Sequence, residues 1–260
     1  MPFGIRESFI CVQYAPEASR LVENKLLFGA GCFIMAALHN CNLEGTDMQN
    51  SPAVERLLPM ALLTLSGGLQ DAYTYFSRGH VFANAQTGNI VLLSQGLFSG
   101  NLLQAARYLF PLLAFALGVA AAEFIRNRPS DGQLFWQRQV LMLEVLLLFL
   151  VGFLPHSMDQ LANVLVSFTC AMQVQAFRRV DGFNFASTMC IGNLRGGTDA
   201  LYTFLRTGNR QERRKASLYF LVILMFILGA GIGSLAVDLL GLRTIWLSCA
   251  LLAVVSIFLL

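Results

Sequence analysis

An all-α integral membrane protein made of two related units is the fold class this sequence predicts. Three observations carry that expectation. The chain has 260 residues, of which 56% are hydrophobic and 13% charged, whereas soluble domains carry about 25% charged residues. The apolar residues come in long runs, not in amphipathic stripes, as expected of a polytopic membrane protein. Two polar stretches near the middle are versions of each other. Gln70, Gly79, Phe82 and Ala83 recur 103 positions later as Gln173, Gly182, Phe185 and Ala186. Ala72, Gly88 and Asn89 recur 104 positions later as Ala176, Gly192 and Asn193. A fixed internal period determines architecture before any local reading does. The flanks agree, with Gly118, Ala121 and Glu123 matched by Gly233, Ala236 and Asp238 at a spacing of 115.

In order, residues 1–50 form a poorly defined N-terminal segment. Its one apolar run, Leu26 to Leu38, is too short to cross about 30 Å of hydrocarbon. The segment is expected to be dispensable, or to precede a start at Met48. Residues 51–155 form the first membrane repeat. Its runs are Leu57 to Phe76, Val81 to Leu97, Leu102 to Ile125 and Val140 to Leu154. Residues 156–260 form the second, with Leu161 to Phe177, Phe183 to Leu205, Leu218 to Leu240 and Thr244 to Leu260. An arginine-rich linker, Arg206 to Lys215, joins two of these runs.

Charge selects among the ways of threading eight runs. Loops on the cytoplasmic side carry an excess of Lys and Arg. Eight crossings divide the loop cations evenly, seven against seven. If the polar runs 81–97 and 183–205 enter and leave on one face, six crossings remain. One side then holds Arg56, Arg126, Arg128, Arg138, Arg178, Arg179, Arg206, Arg210, Arg213, Arg214 and Lys215, and the other only Arg78, Arg107 and Arg243. The sequence therefore favours six spans plus two shorter broken or re-entrant polar segments, with eight spans as the alternative. Both termini are expected in the cytoplasm of a bacterial inner membrane. Three crossings per unit would invert the second unit relative to the first, a common build of secondary transporters.

The polar residues of the repeats are the candidate site. Irregular backbone at membrane depth persists only where protein or water satisfies its N–H and C=O groups. Gln86-Thr87-Gly88-Asn89 and Cys190-Ile191-Gly192-Asn193 read as such breaks, each Asn capping a half-helix whose N-terminus offers N–H donors to an anion. Gln70, Asp71, Thr87, Gly88, Asn89, Gln173, Gln175, Gly192 and Asn193 are thus the expected substrate-binding residues. The alternative role of these polar groups is to hold helices together. An acid inside the membrane is by default a functional candidate. Asp71, Glu144 and Asp199, with Arg195, are the candidates for ion coupling, and Asp71 is free to pair with Arg195, as is Asp199.

No nucleophile–base constellation, phosphate loop or zinc-protease motif occurs, so an enzyme is not expected. Six cysteines without C-x-x-C spacing and three scattered histidines support neither a disulfide framework nor a metal site, and no cofactor is expected. The net charge of +3 lies beside apolar runs instead of forming a basic face, which excludes nucleic acid as the expected partner. The expected partners are the lipid bilayer and a small polar or ionic solute, with a homo-oligomer left open. The best reading is a small permease of a polar or anionic solute working by alternating access. A scaffold whose polar motifs only pack helices is the alternative.

From Leu57 onward the chain resembles the YoaK-like family of bacterial inner-membrane proteins, a domain of unknown function. The resemblance rests on Gly68-Leu-Gln-Asp-Ala72, on Gly79-x-Val-Phe82 with Thr87-Gly-Asn89, on Cys170-Ala-Met-Gln-Val-Gln-Ala-Phe-Arg-Arg179, and on Ser187-Thr-Met-Cys-Ile-Gly-Asn-Leu-Arg195. It departs at Ile191, where relatives often have Thr. The resemblance implies a polytopic bacterial membrane protein with about six spans and no known substrate.

Overall fold

The computed structural model describes residues 57–127, 133–180, 183–185 and 187–259. The N-terminal segment 1–50, together with Arg56, Arg128, Gly182 and Ala186, lies outside the described residues. The described chain is helical apart from turns and one antiparallel pair of two-residue strands, Arg179–Val180 and Phe183–Asn184. The helices are α1 (Leu57–Ser77), α2 (Gln86–Phe98), α3 (Leu102–Arg126), α4 (Gln133–Val151), α5 (Asp159–Ala176), α6 (Cys190–Thr207), α7 (Arg210–Leu240) and α8 (Ile245–Ile257).

All eight expected segments are helices, with four boundary differences. The run from Phe183 becomes a helix only at Cys190, after the strand Phe183–Asn184. The second run becomes a helix only from Gln86, so residues 78–85 form the irregular connection. α4 begins at Gln133 and takes in the polar stretch around Arg138. The expected arginine-rich linker shrinks to Gly208 and Asn209, because Arg210 to Lys215 are the first turns of α7. Gly208 takes the left-handed conformation that closes α6, and Asn209 Oδ1 accepts from the Gln211 N–H at 2.9 Å to open α7. Gln, Glu, Arg, Lys and Ala then continue the helix without a breaker.

Three stretches among the described residues are long and apolar enough to cross a membrane: Leu102–Arg126, Leu134–Val151 and Arg210–Ile257. Their outer faces display Phe110, Leu113 and Leu117 on α3, Leu146 and Leu150 on α4, and Ile227 and Leu235 on α7. α1 and α5 are different, because the groups that lower their hydropathy are buried. Ser66, Gln70, Asp71 and Thr74 on α1, and Asn163, Ser167, Thr169, Gln173 and Gln175 on α5, all face the interior. Outer helices meet the apolar surroundings while two inner ones carry polar groups through the centre.

Side-chain contacts fix which helix ends lie together. Arg78, just past the end of α1, pairs with Asp159 at the start of α5 at 2.8 Å. Gln160 Nε2 donates to the Arg107 carbonyl near the start of α3 at 3.3 Å. That carbonyl is free because Pro111, four residues on, has no N–H to give it. The ends of α1 and α2 and the starts of α3 and α5 therefore share one end of the bundle. At the other end, Gln137 near the start of α4 donates to the Ala176 carbonyl at the end of α5 at 2.8 Å. There too Glu123, near the end of α3, meets Gln175 and Arg178.

The tightest crossings are of backbone on backbone. A Cβ on Gly68 of α1 would collide with the Phe226 carbonyl and stand 2.9 Å from the Ala230 nitrogen of α7. One on Gly229 of α7 would collide with the Leu65 carbonyl of α1. α3 meets α5 in the same manner, where a Cβ on Gly118 would meet the Phe168 carbonyl and Ala171. Small residues allow such approach where lipid provides no hydrophobic drive between helices.

Candidate functional site

The chain turns at Gly79 and His80, both at positive φ, of 81° and 60°, and runs back alongside α1. Asn84 then lies beside the middle of that helix: its N–H donates to Asp71 Oδ1 at 2.7 Å and its Nδ2 to the Gly67 carbonyl at 3.1 Å. The N–H groups of Ala83 and Ala85 also face the Asp71 carboxyl. Three successive donors of a non-helical segment are thus met by one buried carboxylate, which is how irregular backbone is accommodated away from water. Asp71 is 6% exposed and does not pair with Arg195.

Asn89 works differently from the expectation. α2 starts at Gln86 with Ala85 as an N-cap that makes no side-chain bond, so Asn89 sits inside the first turns. Fully buried, it accepts from the Phe82 N–H at 3.1 Å and donates to the Phe82 carbonyl at 2.6 Å and to Gln86 Oε1 at 3.0 Å. It ties the returning chain to the helix that follows. Asn89→Ala is expected to lower stability by about 1–3 kcal/mol, the cost of leaving buried backbone groups unpaired, read as a lower melting temperature in detergent.

The second break reaches the same place from the opposite end. Ser187 and Thr188 precede α6, and Gln173 Nε2 donates to Ser187 Oγ and to the Leu63 carbonyl of α1, each at 3.2 Å. A Cβ on Gly67 would collide with Thr188 Cγ2. The two breaks therefore converge at Gly67, with Asn84 on one side and Thr188 on the other. Asn84 Oδ1, Gln173 Oε1 and Thr188 Oγ1 are buried there without a hydrogen-bond partner.

One turn along α1 lies a second polar cluster, which the sequence did not single out as a unit. Gln70 Nε2 donates to Ser248 Oγ of α8 at 2.9 Å, to Ser66 Oγ at 3.1 Å and to Glu144 Oε1 of α4 at 3.3 Å. Its Oε1 accepts from Cys170 Sγ of α5 at 2.6 Å. Ser66 and Ser248 share a hydrogen bond of 2.5 Å. Four helices thus meet on one glutamine. Glu144 is fully buried, and its Oε2 has no partner.

The remaining candidates lie elsewhere. Thr87 and Gly192 are exposed, Gly88 is half-buried against Phe82, and Asn193 is buried in the first turn of α6. Gln175 belongs to the Glu123 end, where it bridges Glu123 and Arg178. Arg195 and Asp199 are both exposed on α6 and form no ion pair with each other. On a helix whose polar residues lie along one side, exposure is the physical reason that expected pair gains nothing from burial.

Arg78, which the sequence offered only as a loop cation, is fully buried with all five N–H groups used. It donates to Tyr73 Oη (2.8 Å), Pro155 O (3.2 Å), Asp159 Oδ1 (2.8 Å), Val151 O (3.1 Å) and Leu154 O (2.9 Å). The signal available was an arginine immediately before the glycine of the first repeat, between two apolar runs.

Outer helices with apolar outer faces around inner helices that carry buried amides, hydroxyls and acids define a polytopic membrane protein. The chain belongs to the family described as "Protein of unknown function (DUF1275)", whose model matches residues 60–258. It is 29% identical over 188 residues to the UPF0700 transmembrane protein YoaK of Bacillus subtilis (strain 168), a match covering 68% of this chain and 82% of that relative. No solved structure matches.

Proposed function

We propose that this membrane protein is a small secondary transporter of a polar or anionic solute, working by alternating access between two inverted units. The observation that carries the reading is the convergence of both breaks at Gly67, beside buried oxygens that lack partners. Each break leads into a helix start, and a helix N-terminus offers N–H donors and a positive dipole end to an anion. Broken helices meeting between repeats are the usual form of a transporter site.

The packing supports the inversion. α1 crosses α7 as α5 crosses α3: Gly229 packs on Leu65 and Gly118 on Phe168, and Leu65 and Phe168 are 103 residues apart, the period of the repeat. By this packing Gly118 corresponds to Gly229, one helical turn before the Gly233 that sequence spacing alone suggested. α2 has 13 residues, about 20 Å at 1.5 Å per residue, so it returns to the end it left instead of crossing. This supports a half-depth path for α2, and the repeat assigns the same path to the 18-residue α6, leaving six spans. The cation distribution supports cytoplasmic termini in an inner membrane.

A panel of small carboxylates, phosphates and amines, tested by thermal shift on the purified protein and then by uptake into liposomes, examines the reading. At least one class is expected to raise the melting temperature and to be taken up, and Thr188→Val to abolish both effects. Uptake that persists unchanged in Thr188→Val and Gln173→Leu would contradict the site. The scaffold reading draws on one specific observation, that Asn89 and Asp71 are spent on bonds that hold the returning chain. It predicts loss of melting temperature in those variants and no solute response in any protein.

A further inference from the structure

Among the described residues two acids are buried, Asp71 and Glu144, and their surroundings differ in kind. The carboxyl of Asp71 is met by the N–H of Asn84 at 2.7 Å and faced by those of Ala83 and Ala85. Glu144 has a single donor, Gln70 Nε2, at 3.3 Å to Oε1, and nothing on Oε2. The titratable groups facing it are Cys170 from α5 and Cys249 from α8, with Asp71 of α1 beyond Cys170. No basic group interacts with it among the described residues. We infer that Glu144 binds and releases a proton inside the bundle, whereas Asp71 stays a fixed acceptor for the broken backbone.

The physical ground is the donor inventory. A carboxylate removed from water is tolerable when several N–H groups or a cation compensate it, and prohibitive when none does. Glu144 lacks that compensation in the state described. A proton on Oε2 leaves Oε1 as the carbonyl that accepts from Gln70, which matches the single bond observed. A metal cation is the competing occupant, because Ser66 Oγ, Ser248 Oγ and Glu144 Oε1 form a set of hard oxygens. Gln70 turns its Nε2 toward all three, so an N–H donor stands where such an ion would sit. Release of the proton requires the cluster to open, and the groups that bound it come from α1, α4, α5 and α8. Use of this proton as the coupling ion rests on the transport reading above; its presence on Glu144 does not.

Dicyclohexylcarbodiimide is an apolar reagent that adds to protonated carboxyl groups within lipid. Applied at neutral pH to the full chain in vesicles, it is expected to leave an adduct on Glu144 and none on Asp71 by peptide mass spectrometry. The adduct should vanish in Glu144→Gln and be unchanged when choline chloride is replaced by sodium chloride. An adduct on Asp71, no adduct on Glu144, or protection of Glu144 by sodium would each overturn the inference. A labelled Glu144 in vesicles that move no solute would remove the transport reading and leave the proton site standing.

Discussion

Arg78→Met lowers the stability of the protein by about 3–5 kcal/mol, the range for breaking a buried ion pair by removing one partner. The guanidinium is fully enclosed and serves three structures at once. It donates to the Val151 carbonyl at the end of α4 and to the Leu154 and Pro155 carbonyls in the following turn. It also holds Asp159 at the start of α5 and Tyr73 on α1. The carbonyls are the larger part of the loss, because a helix terminus buried without partners has nowhere else to turn, while Asp159 is still 28% exposed. Arg78→Lys should recover only part, since three donors on a point charge cannot reproduce a planar fork of five. Asp159→Asn should cost less than either. Thermal unfolding in detergent reads this order, and an Arg78→Met protein melting with the native one would refute the assignment.

Gly68→Leu is expected to prevent assembly of the native bundle, seen as loss of the monodisperse peak on size exclusion. Gly68→Ala should already cost about 2–3 kcal/mol, within the range for overpacking. The added carbon meets the Phe226 carbonyl and the Ala230 nitrogen, and backbone atoms inside a helix cannot rotate out of the way as a side chain can. Separating α1 from α7 would also pull Gly67 away from Thr188, so the two breaks would part. Gly231 on the same helix supplies the contrast. A Cβ there meets nothing within 4 Å, and Gly231→Ala should stabilise by about 0.5–1 kcal/mol through helix propensity. Equal effects at the two positions would contradict close packing at Gly68.

Because hydrophobic segments long enough to pack a bundle are visible without tertiary knowledge, run length and polarity located all eight helices, though three of them start seven or eight residues from the expected run, at Gln133, Cys190 and Arg210. What they could not show is where the chain breaks. Gly88 and Asn89 read as the interruption, yet the interruption lies before them, since Asp71, thirteen residues upstream of Asn84, supplies the acceptor the backbone needs. Such a bond between distant residues leaves no periodicity. Gln70, Asp71 and Gln173 were legible as interior groups because polar residues in apolar runs have few other places to go. Ser66, Ser248 and Cys170 were not, being small and common in membrane helices, and only the fold brings them onto Gln70. Gly192 recurs with the repeat as the counterpart of Gly88 but is exposed, which shows that repetition marks shared architecture as readily as a shared site.

The path of α2 is the point on which the account turns, and single-cysteine labelling in vesicles measures it. In a background without the native cysteines, His80→Cys and Ser99→Cys flank α2, and Asn127→Cys follows α3 at the other end. A membrane-impermeant maleimide added outside should treat the first two alike and Asn127→Cys oppositely. If His80→Cys and Ser99→Cys react from opposite sides, α2 crosses the membrane, and two inverted three-pass units with half-depth helices do not describe this protein.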